Sequence, residues 1–531
     1  NQQQKVLSAY GYASTQPDYS SFLVAGRPKT GQSLDEVRDL LLEEVAKLRE
    51  GDFDEKLIEA TINNYKMQLM RSFEENDSRA ILYVYSFISG ADWADEVARI
   101  DRMSKITKQD VVDWANKYLG PESYAIVYKR EGKDPNEQKI AAPKITPIVT
   151  NRDSQSEFLT EIQNSKVEPI EPVFVDYKKD MSQFEAQPGI DVLYKKNETN
   201  DIFTLIYVFN TGTENDPALN LAFNYLSYLG TDKMTAEEIA SEMYDIACSF
   251  YMNAGANQSS IQITGLSENM GKAMEIVEGL IAGAQPNEEI LQNLKGDMIK
   301  SRADAKLNQS RCFGALQRYM IYGSDFIRRT TLTDPALQGL TSEQLLAKIG
   351  DLMGKQHEVL YYGPQDEAEV KAALAAHHKV AADLQPLEKK FSTLQPTDEN
   401  KVMLAQYDAK QLYYMQYSNR GEKFDLAADP QITLYNEYFG GGMNTIVFQE
   451  MREARGLAYS AWANLAIPTN AKGDYYYMAF IATQNDKMQK AIEAFDEIIN
   501  NMPESEKAFD IAKEALISRL RTERTVKDGV L

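Results

Sequence analysis

Arg452 and Tyr459, seven positions apart near the C-terminal end of the sequence, are the residues whose types best suit chemistry. An arginine is a permanent cation and a tyrosine hydroxyl can donate a hydrogen bond, so together they can stabilise negative charge that develops in a transition state. The structural alternative is that Arg452 forms a surface ion pair with Glu450 or Glu453 and that Tyr459 packs in a sheet. The preceding glycine-rich turn, 440–442, lacks a lysine and the diagnostic glycine spacing, so it is expected to open a helix rather than hold a phosphate.

The elements that would position this pair recur along the chain. Residues 106–128 read as an N-capped helix followed by a strand, and residues 340–362 repeat that order, with Thr341 and Gln344 at capping-box spacing. The strands of these two copies are predicted over 124–128 and 358–362. Upstream of each copy lies a long predicted helix that leads into an aromatic-rich segment. These two helices are predicted over 53–74 and 288–308.

Two further copies stand at the ends of the sequence. At the C-terminus a strand over 474–482 is followed by a helix over 488–500 and another from 504. At the N-terminus a strand over 20–26 is followed by a helix over 34–50. Strand pairs followed by helices, rather than strict alternation, favour α+β units in which helices cover one face of a sheet.

Three consecutive segments resemble a known family. Residues 440–444, 448–453 and 455–460 are similar to the signature of the C-terminal-type domain of the insulinase/pitrilysin (inverzincin) zinc peptidases. The repeated units extend the resemblance over nearly the whole chain. In that family four homologous domains form a two-bowl clamshell around a closed chamber, and the first domain carries the metal. The resemblance implies an α+β fold of repeated two-layer domains, each with an antiparallel-rich sheet and helices packed on one face.

The resemblance also implies an order of domains, and with it that the sequence is a segment of a longer protein. The predicted parts are a second peptidase-like domain without its N-terminal part (1–132), a linker (133–185), a third domain with a degenerate copy of the metal site (186–364), a helical connector (365–398), and a C-terminally truncated fourth domain with the Arg/Tyr motif (399–531). The composition of residues 367–387, rich in Ala, Glu and Lys, predicts a helix across that part of the connector.

The metal motif of the family is His-x-x-Glu-His on a helix, where two imidazoles bind zinc, the glutamate activates water and a distant glutamate is the third ligand. The sequence has three histidines, and none stands in that motif. His357 is followed directly by Glu358, and His377 and His378 have no carboxylate at the required spacing. We expect His377 and His378 to face solvent on the connector helix; the alternative there is a trace-metal site.

The third domain shows where the motif would stand. The strand 202–209 and the turn 211–214 resemble the elements that precede the metal helix, which puts Leu221 and Tyr225 at the imidazole positions and Asn224 at that of the general base. Asparagine cannot take a proton from water at neutral pH. The third domain is therefore predicted to be a catalytically inactive copy that binds no metal. The zinc of the intact protein is expected to be bound outside this segment.

The pair equivalent to Arg452 and Tyr459 in single-chain members of the family reaches the zinc centre across the chamber and contacts the substrate backbone and the developing oxyanion. The resemblance thus implies the non-zinc-binding portion of a zinc metalloendopeptidase that encloses peptides, with this segment inactive by itself. The first unit has Gln2 and Ala9 at the aligned positions and lacks the pair. The alternative is a noncatalytic homologue that serves as a structural or partner-binding subunit.

The amino-acid composition limits the classes of molecule that this protein is expected to bind. The 531 residues include 57 Lys and Arg against 79 Asp and Glu, a net charge of −22 that opposes binding to nucleic acid, so the expected partner is a peptide or small protein. An acidic chamber for basic peptides is one interpretation of that charge, and a solvated surface is the simpler one. No apolar run reaches the ~18–20 residues that span a bilayer, and two cysteines form at most one bridge. The sequence does not decide whether the protein forms a homodimer. It also leaves two compartments, periplasm and cytoplasm, of which the periplasm is favoured.

Overall fold

A computed structural model describes residues 3–132, 156–387, 392–409 and 411–531. The first part of the predicted linker and the aligned position Gln2 therefore lie outside the described residues. The described chain contains three separate β-sheets, of two, six and three strands. No helix in these ranges combines the length and the apolar character needed to span a membrane.

The N-terminal unit pairs two antiparallel strands and places six helices after them. The elements are β1 (Ser8–Thr15), β2 (Ser20–Arg27), α1 (Leu34–Glu50), α2 (Lys56–Glu74), α3 (Asn76–Ser89), α4 (Trp93–Val97), α5 (Arg99–Met103) and α6 (Lys108–Tyr118). A capping box of Ser33 and Glu36 begins α1, and Gly51 ends it with a left-handed φ of 74°. These local signals fix both ends of the helix without help from its neighbours.

The strand predicted over 124–128 is wrong, because the structure has no strand there. The Tyr128 hydroxyl donates to Asp35 Oδ1 at 2.9 Å and accepts from Arg38 Nη1 at 3.2 Å, so this segment is fastened to helix α1 by a side chain. A strand requires a neighbouring backbone for its ladder, and composition cannot reveal whether that neighbour is available.

The central unit is built on a six-stranded sheet in the order β3-β4-β8-β5-β7-β6. Its elements, after the isolated helix α7 (Glu157–Asn164), are β3 (Ser182–Gln187), β4 (Ile190–Lys196), β5 (Ile202–Phe209), α8 (Leu219–Leu226), α9 (Ala236–Asp245), β6 (Cys248–Ala254), β7 (Ser259–Leu266), α10 (Met270–Gly283), α11 (Glu288–Lys306), α12 (Gln309–Thr330), α13 (Asp334–Gly339), α14 (Ser342–Met353), β8 (His357–Gly363) and α15 (Glu367–His377). Four of the five strand pairs are antiparallel, and β4–β8 is parallel. A single large apolar cluster joins this sheet to α8, α10 and α14.

The C-terminal unit has a three-stranded antiparallel sheet in the order β10-β11-β9. Its elements are β9 (Gln411–Ser418), α16 (Asp429–Tyr435), a π-helical turn (Asn436–Gly440), α17 (Ile446–Phe448), a second π-helical turn (Gln449–Ala454), β10 (Ser460–Ala466), β11 (Tyr476–Gln484), α18 (Met488–Asn500) and α19 (Glu506–Thr522). Short 3₁₀ turns occur at Ser267–Asn269, Asn485–Lys487 and Lys527–Val530. A second apolar cluster packs α18 against β10 and β11. The fold class predicted from the sequence, α+β with antiparallel-rich sheets, is confirmed.

Two boundaries differ from the predicted ones. Strand β3 begins at Ser182, so the six-stranded sheet starts ahead of the expected boundary at 186. The helix predicted over 367–387 ends at His377, and the residues after it are not helical. Leu384 is nevertheless buried in the core of the central unit, so this part of the connector packs as an irregular segment.

Candidate functional site

The chain that precedes Arg452 is shaped by close packing of the glycine-rich turn. Gly440 lies against strand β10, where an added Cβ would come within 2.9 Å of the Ala463 carbonyl oxygen. Thr445 follows the turn, and its hydroxyl donates to the Gly442 carbonyl oxygen at 2.7 Å immediately before α17 begins. The glycines therefore allow a tight approach of the backbone to the sheet and open the next helix.

Arg452 lies in the second π-helical turn, a conformation that often occurs at functional sites. Met451 is fully buried, and its carbonyl oxygen accepts from the N–H groups of both Leu457 and Ala458, at 2.9 and 3.2 Å. Gly456 has a left-handed φ of 56°, which the intervening reversal of the chain requires. The reversal brings Tyr459, which immediately precedes β10, back alongside Arg452.

The two predicted site residues are in contact. The guanidinium carbon of Arg452 lies 4.9 Å from the ring centroid of Tyr459 and 5.0 Å from that of Phe448. Such cation–π contacts are worth about 0.5–1 kcal/mol at exposed sites. Sequence reasoning missed Phe448, although its position four residues before Arg452 on a helical segment is the spacing that puts two side chains on one face.

Both polar groups of the pair are accessible. Tyr459 is 74% exposed, and only its backbone is held in the sheet, by an N–H bond to the Ala482 carbonyl oxygen at 3.2 Å. Arg452 has a 40% exposed side chain, and its Nε lies 3.7 Å from Glu453 Oε1. The structural alternative stated for the pair is therefore met in part, because Arg452 forms a surface ion pair with Glu453. It is not met for Tyr459, whose side chain lies outside the sheet packing.

Arg455, three residues further on, has a different environment. Its Nη1 lies 2.9 Å from Glu497 Oε2, and its Nε lies 3.4 Å from Glu450 Oε2. The hydrogen bond to Glu497 is the main cause of a raised Arg455 pKa. Glu450, one of the two carboxylates considered for Arg452, is thus paired with Arg455. Arg455 ties the π-helical turn to α18 and provides a natural control for Arg452.

The degenerate motif positions do not converge on a site. Helix α8 turns Leu221 and Tyr225 into the core, where they are 2% and 0% exposed, while Asn224 is exposed. The Tyr225 hydroxyl accepts from the Asn287 N–H at 2.7 Å and hydrogen-bonds the Ser342 hydroxyl at 2.8 Å. An apolar chain and a phenol held by structural hydrogen bonds do not fit zinc. Across the described ranges, no group of three His, Cys, Asp or Glu is arranged to hold a metal ion.

The expectation that His377 and His378 face solvent is wrong for His378, which is 5% exposed. Its Nδ1 lies 2.6 Å from Glu278 Oε1, and its Nε2 lies 2.8 Å from His357 Nε2. His377 is half-buried. Adjacent residues near a helix end point in different directions, and the apolar spacing of Val370 and Leu374 continues to position 378 rather than 377. That four-residue spacing is the signal that could have identified His378 as buried.

Comparisons with known proteins agree on one family. The description "Peptidase M16 inactive domain" matches residues 354–516. An uncharacterized zinc protease of Streptomyces coelicolor is 23% identical over 266 residues, which cover 46% of this chain and 56% of that protein. An uncharacterized zinc protease of Rickettsia bellii is 23% identical over 350 residues, which cover 63% of this chain and 81% of that protein.

Solved structures share the fold. A peptidase M16 inactive domain from Pseudomonas fluorescens aligns with a TM-score of 0.52 and 18% identity, over 64% of this chain and 83% of that one. The periplasmic protease PqqL of Escherichia coli aligns with a TM-score of 0.50 and 13% identity, over 98% and 60%. The ferredoxin protease FusC, solved in complex with Arabidopsis ferredoxin, aligns with a TM-score of 0.50 and 12% identity, also over 98% and 60%.

The α+β units of this chain thus have counterparts in solved structures with this fold. Residues 354–516 match the peptidase M16 inactive domain, and the chain is similar to zinc proteases and solved structures of the insulinase/pitrilysin family. It spans 56% of the Streptomyces relative and 60% of PqqL.

Proposed function

We propose that this chain is the non-zinc-binding portion of a zinc-dependent endopeptidase that encloses its substrate in a chamber. Arg452 and Tyr459 would donate hydrogen bonds to a substrate carbonyl oxygen as negative charge develops on it. The zinc would be bound by another domain of the intact protein, and this chain by itself would not cleave peptides. The domain order expected from the sequence is part of the proposal.

The observation that carries the proposal is the exposed contact between Arg452 and Tyr459. Contacts with two rings restrain the guanidinium of Arg452, while 40% of its side chain stays exposed. The Tyr459 ring is 74% exposed beside it. Preorganised donors of this kind stabilise charge without reorganisation during the reaction, and loss of one such donor typically lowers kcat by about 10²–10³.

The substrate class and the compartment rest on the relatives. Peptides and small proteins are the proposed substrates, since one protease of similar fold was solved with a ferredoxin. A periplasmic location is proposed because another is a periplasmic protease. The net charge of −22 agrees with a partner that is not nucleic acid.

The test is a comparison of variants in the full-length protein. Arg452→Ala and Tyr459→Phe should each lower kcat for peptide cleavage far more than they raise KM. Arg455→Ala is the matched control, because it also removes one arginine. Arg455 lies three residues after Arg452, and its guanidinium is already paired with the carboxylates of Glu450 and Glu497. Equal kcat in wild type, Arg452→Ala and Tyr459→Phe would remove the assigned role of the pair.

A noncatalytic, partner-binding homologue is the second candidate. The observation in its favour is that α8, where a metal helix would stand in the central unit, has become part of an apolar core. The two candidates differ in metal content. A stoichiometric zinc ion in the full-length protein supports the peptidase, and its absence from metal-supplemented, folded protein supports the noncatalytic homologue.

A further inference from the structure

Three buried polar side chains meet where the connector leaves the central unit. His357, the first residue of β8, and His378, just after α15, are 4% and 5% exposed. Their Nε2 atoms are 2.8 Å apart. His378 Nδ1 lies 2.6 Å from Oε1 of Glu278 on α10, and His357 Nδ1 lies 2.8 Å from the Lys355 carbonyl oxygen. The result is a continuous hydrogen-bonded chain from one backbone carbonyl to one carboxyl group.

The chemistry of the end groups fixes the protons of this chain. A carbonyl oxygen only accepts, so Nδ1 of His357 carries a hydrogen and, in the neutral ring, Nε2 accepts. His378 must then donate from Nε2. Its Nδ1 faces Glu278 at 2.6 Å, and that contact requires one further proton, either on the ring or on the carboxyl group. The three side chains therefore share a single dissociable proton and carry no net charge.

The side chains that surround the hydrogen-bonded Glu278, His378 and His357 are aromatic and contribute few charges. The ring of Tyr207, from β5, lies 4.1 Å from that of His378, and the ring of Phe209 lies 4.6 Å from that of His357. Burial, followed by the charge of Glu278, raises the pKa of Tyr207 well above its ordinary value. Burial also lowers the pKa of His357 from 6.5 to about 4.

The titratable groups that face the cluster can be named for each element packed on it. They are Tyr207 from β5, Glu278 from α10, His357 from β8 and His378 from the connector. Lys355 contributes its carbonyl oxygen only. His377 lies outside the chain of bonds, next to Gly271.

The segment after His378 depends on this attachment. The Gln356 N–H donates to the Gln385 carbonyl oxygen at 2.8 Å, and the Gln385 N–H donates to the Gly354 carbonyl oxygen at 3.0 Å. Leu384 is inserted into the apolar core. We propose that Glu278, His378 and His357 form an acid-sensitive latch that holds residues 378–387 of the connector on the central unit.

Protonation of His357 at Nε2 would place two N–H donors face to face and add a charge to a dry site, so the closed latch excludes that proton. The His357 ring, uncovered when the segment 378–387 opens, can take up that proton. In the closed latch the pKa of His357 is lowered. The contribution of this histidine to the stability of the closed latch is therefore complete above pH 6.5 and declines as the pH falls toward 4. With allowance for the one shared proton that the closed latch keeps, the equilibrium constant for opening should rise about sevenfold from pH 7 to pH 5. This inference does not depend on the proposed peptidase function.

Hydrogen exchange measured by mass spectrometry on the whole chain tests the latch. After correction for the intrinsic pH effect, amides 378–387 should lose about sevenfold in protection between pH 7 and pH 5, while β5 keeps its protection. His357→Gln, which can still accept from His378 but does not titrate, should lose the pH step. His377→Gln is the matched control and should retain it.

Imidazole ¹⁵N signals provide a second readout, since the chain has three histidines. His357 should remain a neutral Nδ1–H tautomer at pH 5. The latch is overturned if His357 charges like a free histidine, if the wild-type protection of 378–387 is independent of pH, or if His357→Gln keeps the full pH step.

Discussion

Helix α8 of the central unit and the Arg452 segment of the C-terminal unit differ in how they place their tyrosine side chains, which are buried in α8 and exposed beside Arg452. In α8, the positions predicted from the sequence to correspond to a metal motif hold a leucine and a tyrosine, both buried, and the tyrosine hydroxyl is hydrogen-bonded. In the C-terminal unit, an arginine and a tyrosine stack at the surface with their polar edges accessible. The difference teaches that accessibility of the polar atom, rather than residue type, separates a structural tyrosine from a candidate for catalysis.

Restoration of the motif in α8 is the strongest test of this comparison. Leu221→His, Asn224→Glu and Tyr225→His combined should destabilise the chain by about 4 kcal/mol or more, because two polar rings would enter an apolar core. Urea unfolding and zinc analysis of the purified variant measure both effects. The exposed single change Asn224→Glu is the control and should stay within about 0.5 kcal/mol. A stable triple variant with one zinc ion would contradict the description of α8 as core.

Arg452→Ala should raise the activation barrier of peptide cleavage by about 3–4 kcal/mol in the full-length protein, with little change in stability. The reason is that its partners are rings and one carboxylate at 3.7 Å, which contribute little to folding. Kinetics and thermal unfolding of the same preparation check the two halves of this statement. An Arg452→Ala protein that is inactive because it unfolds would place Arg452 with the structural residues.

Tyr225→Phe should cost about 1–3 kcal/mol of unfolding free energy, because the buried Ser342 hydroxyl loses its hydrogen-bond partner and the Asn287 N–H loses its acceptor. Chemical denaturation measures the cost. Tyr251→Phe removes a hydroxyl from a 63% exposed side chain and should be neutral within about 0.5 kcal/mol. If the two variants were equally stable, burial of Tyr225 would not distinguish it from a surface tyrosine.

Arg455→Ala should have the smallest effect, at most about 1 kcal/mol on stability, since its partners are surface carboxylates. Its kcat should stay close to that of the wild type. Steady-state kinetics beside Arg452→Ala provide the measurement. A loss of kcat as large as that of Arg452→Ala would show that the turn as a whole, and not the Arg452 side chain, supports activity.

Sequence signals located the elements whose limits are set locally. Helix Leu34–Glu50 was predicted to the residue because a capping box and a glycine mark its ends. Strand Ile202–Phe209 was predicted because β-branched and aromatic residues make up most of its length. The absence of a strand at 124–128 was not predictable, since strand formation depends on a distant partner. The burial of His378 was missed because Glu278 and His357 come from two other elements.

The candidate pair was identified from the sequence, but its geometry was not. The resemblance to a peptidase family suggested a joint role for Arg452 and Tyr459, while their contact depends on the π-helical turn and the reversal at Gly456. A π-helical turn inserts extra backbone into a helix without a distinct composition, so residue types alone do not announce it.

The position of strand β8 in the sheet affects how the central unit folds during synthesis. It lies between β4 and β5, which are near neighbours in the sequence, and it bonds both of them. Neither strand can complete its ladder until synthesis has passed Gly363, so the early strands wait with open edges while α8 to α14 emerge. Pairing over such sequence distances is slow and leaves apolar edges exposed to other chains. Expression temperature and chaperone supply should therefore govern the yield of soluble protein, and truncation before β8 should yield aggregates.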